Sequence, residues 1–117
     1  MRHLSKSKKF GRIKGRRRSF ISGLIHNLVM EGKMKTTVAR AKEIKPRTEK
    51  LVTLGRRQTL ASLRILNSRL PEKSASKMYY EIAPRYKDKK GGYLRIVKLM
   101  GARKRDAAFQ VLIEFVK

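Results

Sequence analysis

AFQVLIEFV, residues 108–116, alternates Phe109, Val111, Ile113 and Phe115 with Gln110, Leu112, Glu114 and Val116. A period of two sends these sets to opposite faces, so the segment reads as a strand with one apolar side and one mixed side. Upstream, YLRIVKLM at 93–100 reads as a second strand carrying Ile96, Val97 and Leu99, opened by the turn pair Gly91-Gly92. The connection GARKRDA, 101–107, is short and basic. Two strands so joined predict an antiparallel hairpin.

Earlier in the chain the apolar period changes. Phe20, Ile21, Leu24, Ile25, Leu28 and Val29 fall on one broad helical face. The helix starts at about Ser19, or one turn earlier among Arg16–Arg18, and Gly32 supplies its left-handed stop. KMKT, 33–36, is long enough for a brief strand, and Thr36-Thr37 offer a cap for the next helix. That helix carries Val38, Ala41, Ile44, Thr48, Leu51 and Leu54/Gly55. Pro46 interrupts it, so a kink, or two helices meeting near Ile44–Lys45, is expected. A third helix spans Thr59–Leu70 with Leu60, Leu63, Leu66 and Leu70. A fourth spans Ser74–Ala83 with Ala75, Met78, Tyr79 and Ile82, and Pro84 is expected to end it. The order is helix, strand, three helices, two strands. Helices covering one face of a small sheet give a two-layer α+β domain. Residues 1–18 form a basic arm read as irregular, and 19–117 one domain.

The whole chain has 117 residues, 32 Lys+Arg against 8 Asp+Glu, and a formal net charge of +24. One modest core fits this length and its 40% hydrophobic content. Charge of one sign at this density disfavours compaction, so the sequence is written for a partner that cancels it. Residues 1–20 hold nine bases and no acid; residues 85–105 hold nine bases and one acid, Asp88. Those two blocks contain +17 of the +24, and the rest resembles ordinary globular protein. A basic arm and a basic loop flanking foldable segments point to a polyanion, RNA or DNA.

The first block supplies Arg2, Lys6, Lys8, Lys9, Arg12, Lys14, Arg16, Arg17 and Arg18, with His3 as a solvated or phosphate-facing imidazole. Guanidinium forks hold phosphates bidentately and stack on bases, and Ser5, Ser7, Gly11 and Gly15 keep the arm slim. The second block supplies Arg85, Lys87, Lys90, Arg95, Arg103, Lys104 and Arg105. Tyr86 and Tyr93 lie among these bases, where a tyrosine either stacks on an unpaired base or packs on the sheet. Lys35, Thr36, Thr37 and Lys42 complete the candidate set, because a helix N-terminus capped by threonine also favours phosphate. Lys42, Lys45, Arg56 and Arg57 are equally consistent with a solvated helix face.

Other chemistry finds little footing. Cysteine is absent, and the two histidines, His3 and His26, have no partners at metal-ligand spacing. His26 reads as a boundary residue of the first helix. The carboxylates stand singly, so no acid/base pair is visible, and Gly32-Lys33 lacks the rest of a phosphate loop. No apolar run approaches a membrane span, and no apolar leader opens the chain. A DNA-compacting or transcription-related module shares the charge argument, but no helix-turn-helix with a convincing recognition helix is present.

Two stretches are specific. KMKTTVARAKEIKPRTEKLVTLGRR at 33–57 contains T-T-x-x-x-A-K-E, and EIAPRYKDKKGGYLRIVKL at 81–99 contains A-P-R-Y…G-G-Y-x-R…K-L. With the opening MRH and the F-G-R of the arm, they closely resemble the bacterial large-subunit ribosomal protein seventeen family over nearly the whole chain. The resemblance implies a structural constituent of the large subunit that binds 23S ribosomal RNA. It implies a place on the solvent side near the opening of the peptide exit tunnel, with ribosomal proteins twenty-two and thirty-two as neighbours. It implies no catalytic role and no cofactor, the same order of elements, and an uncleaved start in the bacterial cytoplasm. Arg2, His3, Arg12 and Arg17 match arm positions of the family. Arg16 stands where the family commonly has histidine, Ser22-Gly23 replaces an Arg-Asn pair, and Phe109 stands where a proline is usual.

Overall fold

A computed structural model describes residues 9–116. Arg2, His3, Lys6 and Lys8 lie outside the described residues. The fold is the expected two-layer α+β arrangement. Helix α1 runs Lys14–Glu31, strand β1 Lys33–Thr37 and helix α2 Val38–Gly55. Helix α3 follows at Leu60–Arg69, α4 at Glu72–Lys77, a π-helical stretch at Met78–Ile82 and the short α5 at Ala83–Arg85. Strands β2, Leu94–Ala102, and β3, Phe109–Phe115, complete the chain.

The hairpin forms as the alternation predicts, and β3 takes the middle of the sheet in the order β1-β3-β2, antiparallel on both sides. Met34 pairs with Ile113 and Thr36 with Val111 on one flank; Leu94 pairs with Phe115 and Ile96 with Ile113 on the other. The buried side of β3 is Val111, Ile113 and Phe115, and the helical layer packs there through Leu28, Val29, Ile44, Val52, Met78 and Ile82. Each such residue, fully removed from water, contributes about 1.5–3 kcal/mol. Phe109 continues the same alternation but is exposed.

Helix α1 begins at Lys14, so Lys14–Arg18 are its first turns and not the end of an irregular arm. It ends as expected at Gly32, whose φ of 82° and N–H bond of 2.8 Å to the Leu28 carbonyl make the left-handed stop. Thr37 caps α2, its hydroxyl accepting from the Arg40 N–H at 3.4 Å. At Pro46 the chain does not break into two helices. Helix α2 runs through Pro46 as one element. Pro46 and Lys42 are exposed, so the Lys42 carbonyl left without its amide partner faces solvent. Pro84 does not stop the fourth helical segment either, which continues to Arg85, with Ala83 helical at φ −58° and ψ −40°.

The reason lies upstream of the proline. The Ala83 N–H bonds back to the Met78 carbonyl, a π-type step. In that register the missing Pro84 N–H would have met the Tyr79 carbonyl. Gln58 Nε2 donates to that oxygen instead, at 2.9 Å, and also to the Gly55 carbonyl at 2.8 Å. One side-chain amide thus satisfies the proline's orphan and ties the end of α2 to the π-helical turn. The contact demands glycine at 55, since a Cβ there would lie 2.9 Å from Ala83 Cβ. In α3, Leu66 and the following Leu70 are buried as the spacing predicts, whereas Leu60 points outward and Ser62 is buried in the α3 face.

Gly55→Ala is expected to destabilise the domain by about 1–3 kcal/mol through this overpacking. A urea melt with a lowered midpoint and unchanged slope is the expected result; a midpoint equal to the parent's would show that the helices separate at no cost.

Candidate nucleic-acid interface

Sequence places cations in runs, and the fold re-sorts them. The N-terminal turns of α1 hold Lys14, Arg16, Arg17 and Arg18, with no acid in the first turn and no side-chain cap. Cations there oppose the partial positive charge of the helix N-terminus, so this end is electrostatically unfavourable in the free protein and suited to an anion. The chain just before it folds back on Phe20. The Arg12 guanidinium carbon lies 3.8 Å from that ring's centre and the Arg40 carbon 5.0 Å, while Phe10 meets the ring edge-on at 5.5 Å. Arg12 is therefore anchored by its flat face while exposed to solvent.

A groove of about 920 Å³ opens between α1, α2 and the end of α3. Its walls carry Lys14, Arg17 and Arg18 from α1, Arg47 and Lys50 from α2, and Arg69 from α3. Ile21, Ile25, Leu51 and Leu70 contribute apolar atoms to its lining. Its one carboxylate, Glu43, is bound to Arg47 at 3.0 Å. The groove is thus strongly positive. Arg47, Lys50 and Arg69 were absent from the sequence candidates. Arg47 and Lys50 are scattered among the mixed charges of α2 and Arg69 ends α3, and only the packing of three helices brings them beside the α1 cluster.

A second depression joins Arg85, Tyr86 and Arg95 with Lys33 and Lys89. Glu31, Asp88 and Glu114 share it, and Glu114 binds Arg95 at 2.5 Å. Its charges nearly balance, so it offers a polyanion much less than the first groove does. Arg103, Lys104 and Arg105 occupy the β2–β3 turn, apart from both. Lys35, Lys42, Lys87 and Lys90 are exposed but line neither depression.

Three sequence candidates are corrected by burial. Thr36 is buried within the sheet and does not face solvent. Tyr86 and Tyr93 are core residues, 4% and 1% exposed, with ring centres 5.1 Å apart. Neither can stack on a base. Tyr86 Oη donates to the Val116 carbonyl, and burial raises its phenol above the usual value, a shift that Arg85 partly offsets. Tyr93 Oη accepts from Arg56 Nη1 at 2.7 Å and donates to the Lys89 carbonyl at 3.2 Å. Its backbone N–H donates to Glu49 Oε2 at 3.0 Å. Arg56, rather than a solvated base, also holds the Lys87 carbonyl at 3.0 Å. These bonds fasten the basic loop 86–90 to α2.

At the hairpin tip Arg103 clasps Asp106 through two hydrogen bonds, and Asp106 Oδ1 also accepts from the Ala108 N–H at 3.2 Å. Chiefly the Arg103 bond, then the Ala108 N–H, holds the Asp106 carboxyl below its ordinary 3.8.

Among the described residues no cluster of His, Asp and Glu has metal-binding geometry, and no helix is long and apolar enough to cross a membrane. The family pattern described as Ribosomal protein L17 matches residues 20–116. The chain is 45% identical over 119 residues to the large ribosomal subunit protein bL17 of Persephonella marina, covering 100% of this chain and 96% of that one. It is 43% identical to the bL17 of a Sulfurihydrogenibium species, covering 100% and 98%. With the bL17 of Moorella thermoacetica the identity is 46% over 110 residues, covering 93% and 97%.

Tyr93→Phe is expected to cost about 1–2 kcal/mol of stability while leaving RNA affinity of the folded protein unchanged; paired urea melts and binding curves check this. The Asp106 clasp is present in full above the ordinary carboxylate range and is lost as pH falls through its lowered value. A carboxyl-carbon NMR titration of Asp106 should place its midpoint below 3.8, with Ala108 amide protection fading over the same interval.

Proposed function

The chain belongs to the ribosomal protein L17 family, structural and non-enzymatic constituents of the bacterial large ribosomal subunit in the cytoplasm, and from that premise we propose that it binds 23S ribosomal RNA mainly through the groove between α1, α2 and α3. The observation that carries this reading is the convergence of Lys14, Arg17, Arg18, Arg47, Lys50 and Arg69 on one cleft whose single acid is already paired. Phosphodiesters supply the missing negative charge at regular spacing. A phosphate beside the first turn of α1 also relieves the unfavourable stacking of cations on a helix N-terminus.

Arg2, His3, Lys6, Lys8, Lys9, Arg12 and Arg16 supply further cations for the same RNA. Arg12 presents its guanidinium edge from the Phe20 stack. The turn cations Arg103, Lys104 and Arg105, with Arg85, Lys87, Lys90, Lys35 and Lys42, add outlying contacts. Thr37 acts first as a helix cap, and a phosphate near it is compatible with that role. Family resemblance supports a place on the solvent side near the exit-tunnel opening, beside ribosomal proteins twenty-two and thirty-two. Structured RNA is favoured over duplex DNA as the partner because the described residues form no helix-turn-helix with a convincing recognition helix.

With about 6–10 phosphates neutralised, affinity for a 23S transcript should fall roughly 10³–10⁵-fold between 50 and 200 mM salt. Lys50→Ala with Arg69→Ala should lower the slope of log affinity against log salt by roughly one unit for each phosphate no longer neutralised. Filter binding measures both; a flat salt response overturns the phosphate mechanism, and an unchanged slope in the double variant removes the groove from it.

A further inference from the structure

Beyond the phosphate groove, the β2–β3 hairpin carries a second kind of contact surface. Strand β3 points Val111, Ile113 and Phe115 into the core, and Phe109 follows in the same alternation. Val111 is 2% exposed and Phe109 is 70% exposed. The difference is one of cover. The helical layer ends before Phe109, and the hairpin runs on past it, so the apolar stripe of the sheet overhangs into solvent. Across the ladder Phe109 pairs with Ala102 and Val111 with Lys98. Between those pairs the register shifts, and Met100 stands wholly exposed in the irregular stretch.

The surroundings of this overhang select its partner. Lys98 is on the same face as Phe109, two residues away along the ladder. Arg103, Lys104 and Arg105 fill the adjoining turn, and the nearest carboxylate, Asp106, is held by Arg103. The turn itself is fixed by hydrogen bonds of 3.0 Å from Arg103 N–H to the Ala108 carbonyl and from Ala107 N–H to the Arg103 carbonyl. An aromatic face presented by an ordered turn and ringed by cations matches a flat apolar ligand attached to phosphates.

We propose that Phe109 stacks on an unpaired base of the bound RNA, with Lys98 and the turn cations holding the flanking phosphates. This rests on the RNA-binding reading and adds to it an interaction that requires unpaired nucleotides. A base whose face is not already stacked within a helix supplies the missing cover, whereas a continuous duplex offers no open base face to this ring. Stacking and charge neutralisation differ in salt response, because no counterion is released when a ring covers a base.

The test uses the full chain, its Phe109→Ala and Phe109→Tyr variants, a 23S ribosomal RNA transcript and a fully paired RNA duplex. Phe109→Ala should weaken transcript binding roughly 5- to 150-fold, by the same factor at about 50 and 200 mM salt, with the slope unchanged. Phe109→Tyr should restore it, and duplex affinity should not move. Iodouridine in the transcript should photocrosslink to position 109 at an unpaired nucleotide. Wild-type affinity of Phe109→Ala overturns the proposal, as does an equal loss on the duplex. A fall in large-subunit occupancy with unchanged transcript affinity also overturns it, by assigning the ring to a protein neighbour. If the parent chain itself fails to bind the transcript, the underlying RNA reading falls too, an outcome distinct from failure at Phe109 alone.

Discussion

The central position of β3 governs the rest of the molecule. It pairs on one side with β1, from the first third of the chain, and on the other with β2, from the last third, and its inward residues form the floor on which the helices sit. Helix α1 is anchored there through Leu28 and Val29, α2 through Ile44 and Val52, and the π-helical turn through Met78 and Ile82. If β3 slipped by one residue, Val111 and Ile113 would exchange faces with Leu112 and Glu114. The helical layer would lose its seat, and the three groove walls would lose their mutual geometry.

This core works against a surface that repels itself. A net charge of +24 on 117 residues meets only three ion pairs among the described residues, Arg47–Glu43, Arg95–Glu114 and Arg103–Asp106. All three lie at the surface, where such pairs are worth about 0–1 kcal/mol. They organise side chains more than they stabilise the fold. The remaining cations stay concentrated where helix packing puts them, and the most concentrated site is the N-terminal end of α1 with the facing walls of α2 and α3. A polyanion bound there removes repulsion that the free chain must tolerate, so binding and folding reinforce each other.

Much of the fold was legible from period alone. The α1 face, the α2 face and the β3 alternation each repeat over enough residues to identify the element, and Gly32 and Thr37 mark real boundaries. What local pattern could not supply was the response of neighbours. Pro84 looks like a helix end because its missing N–H is visible in sequence. The Gln58 amide that takes over the orphaned Tyr79 carbonyl comes from 21 residues away in the chain. The start of α1 was hidden for another reason. Lys14–Arg18 have no apolar period and no cap, so nothing local announces a helix, and its later turns hold it in place by packing on the core.

The candidate interface was half legible for the same reason. Charge runs located the arm and the hairpin turn, but a groove made from three helices has no signature in any one of them. The aromatics show the limit most clearly. Tyr86 and Tyr93 lie among lysines and arginines in sequence and are buried; Phe109 lies in the most regular apolar alternation in the chain and is exposed. Composition around a residue reports its neighbours along the chain, whereas exposure depends on how far the opposite layer extends. Here the helices stop short of the hairpin's end. The overhang that results leaves an aromatic ring uncovered beside a cationic turn, a combination that the charge runs alone did not reveal.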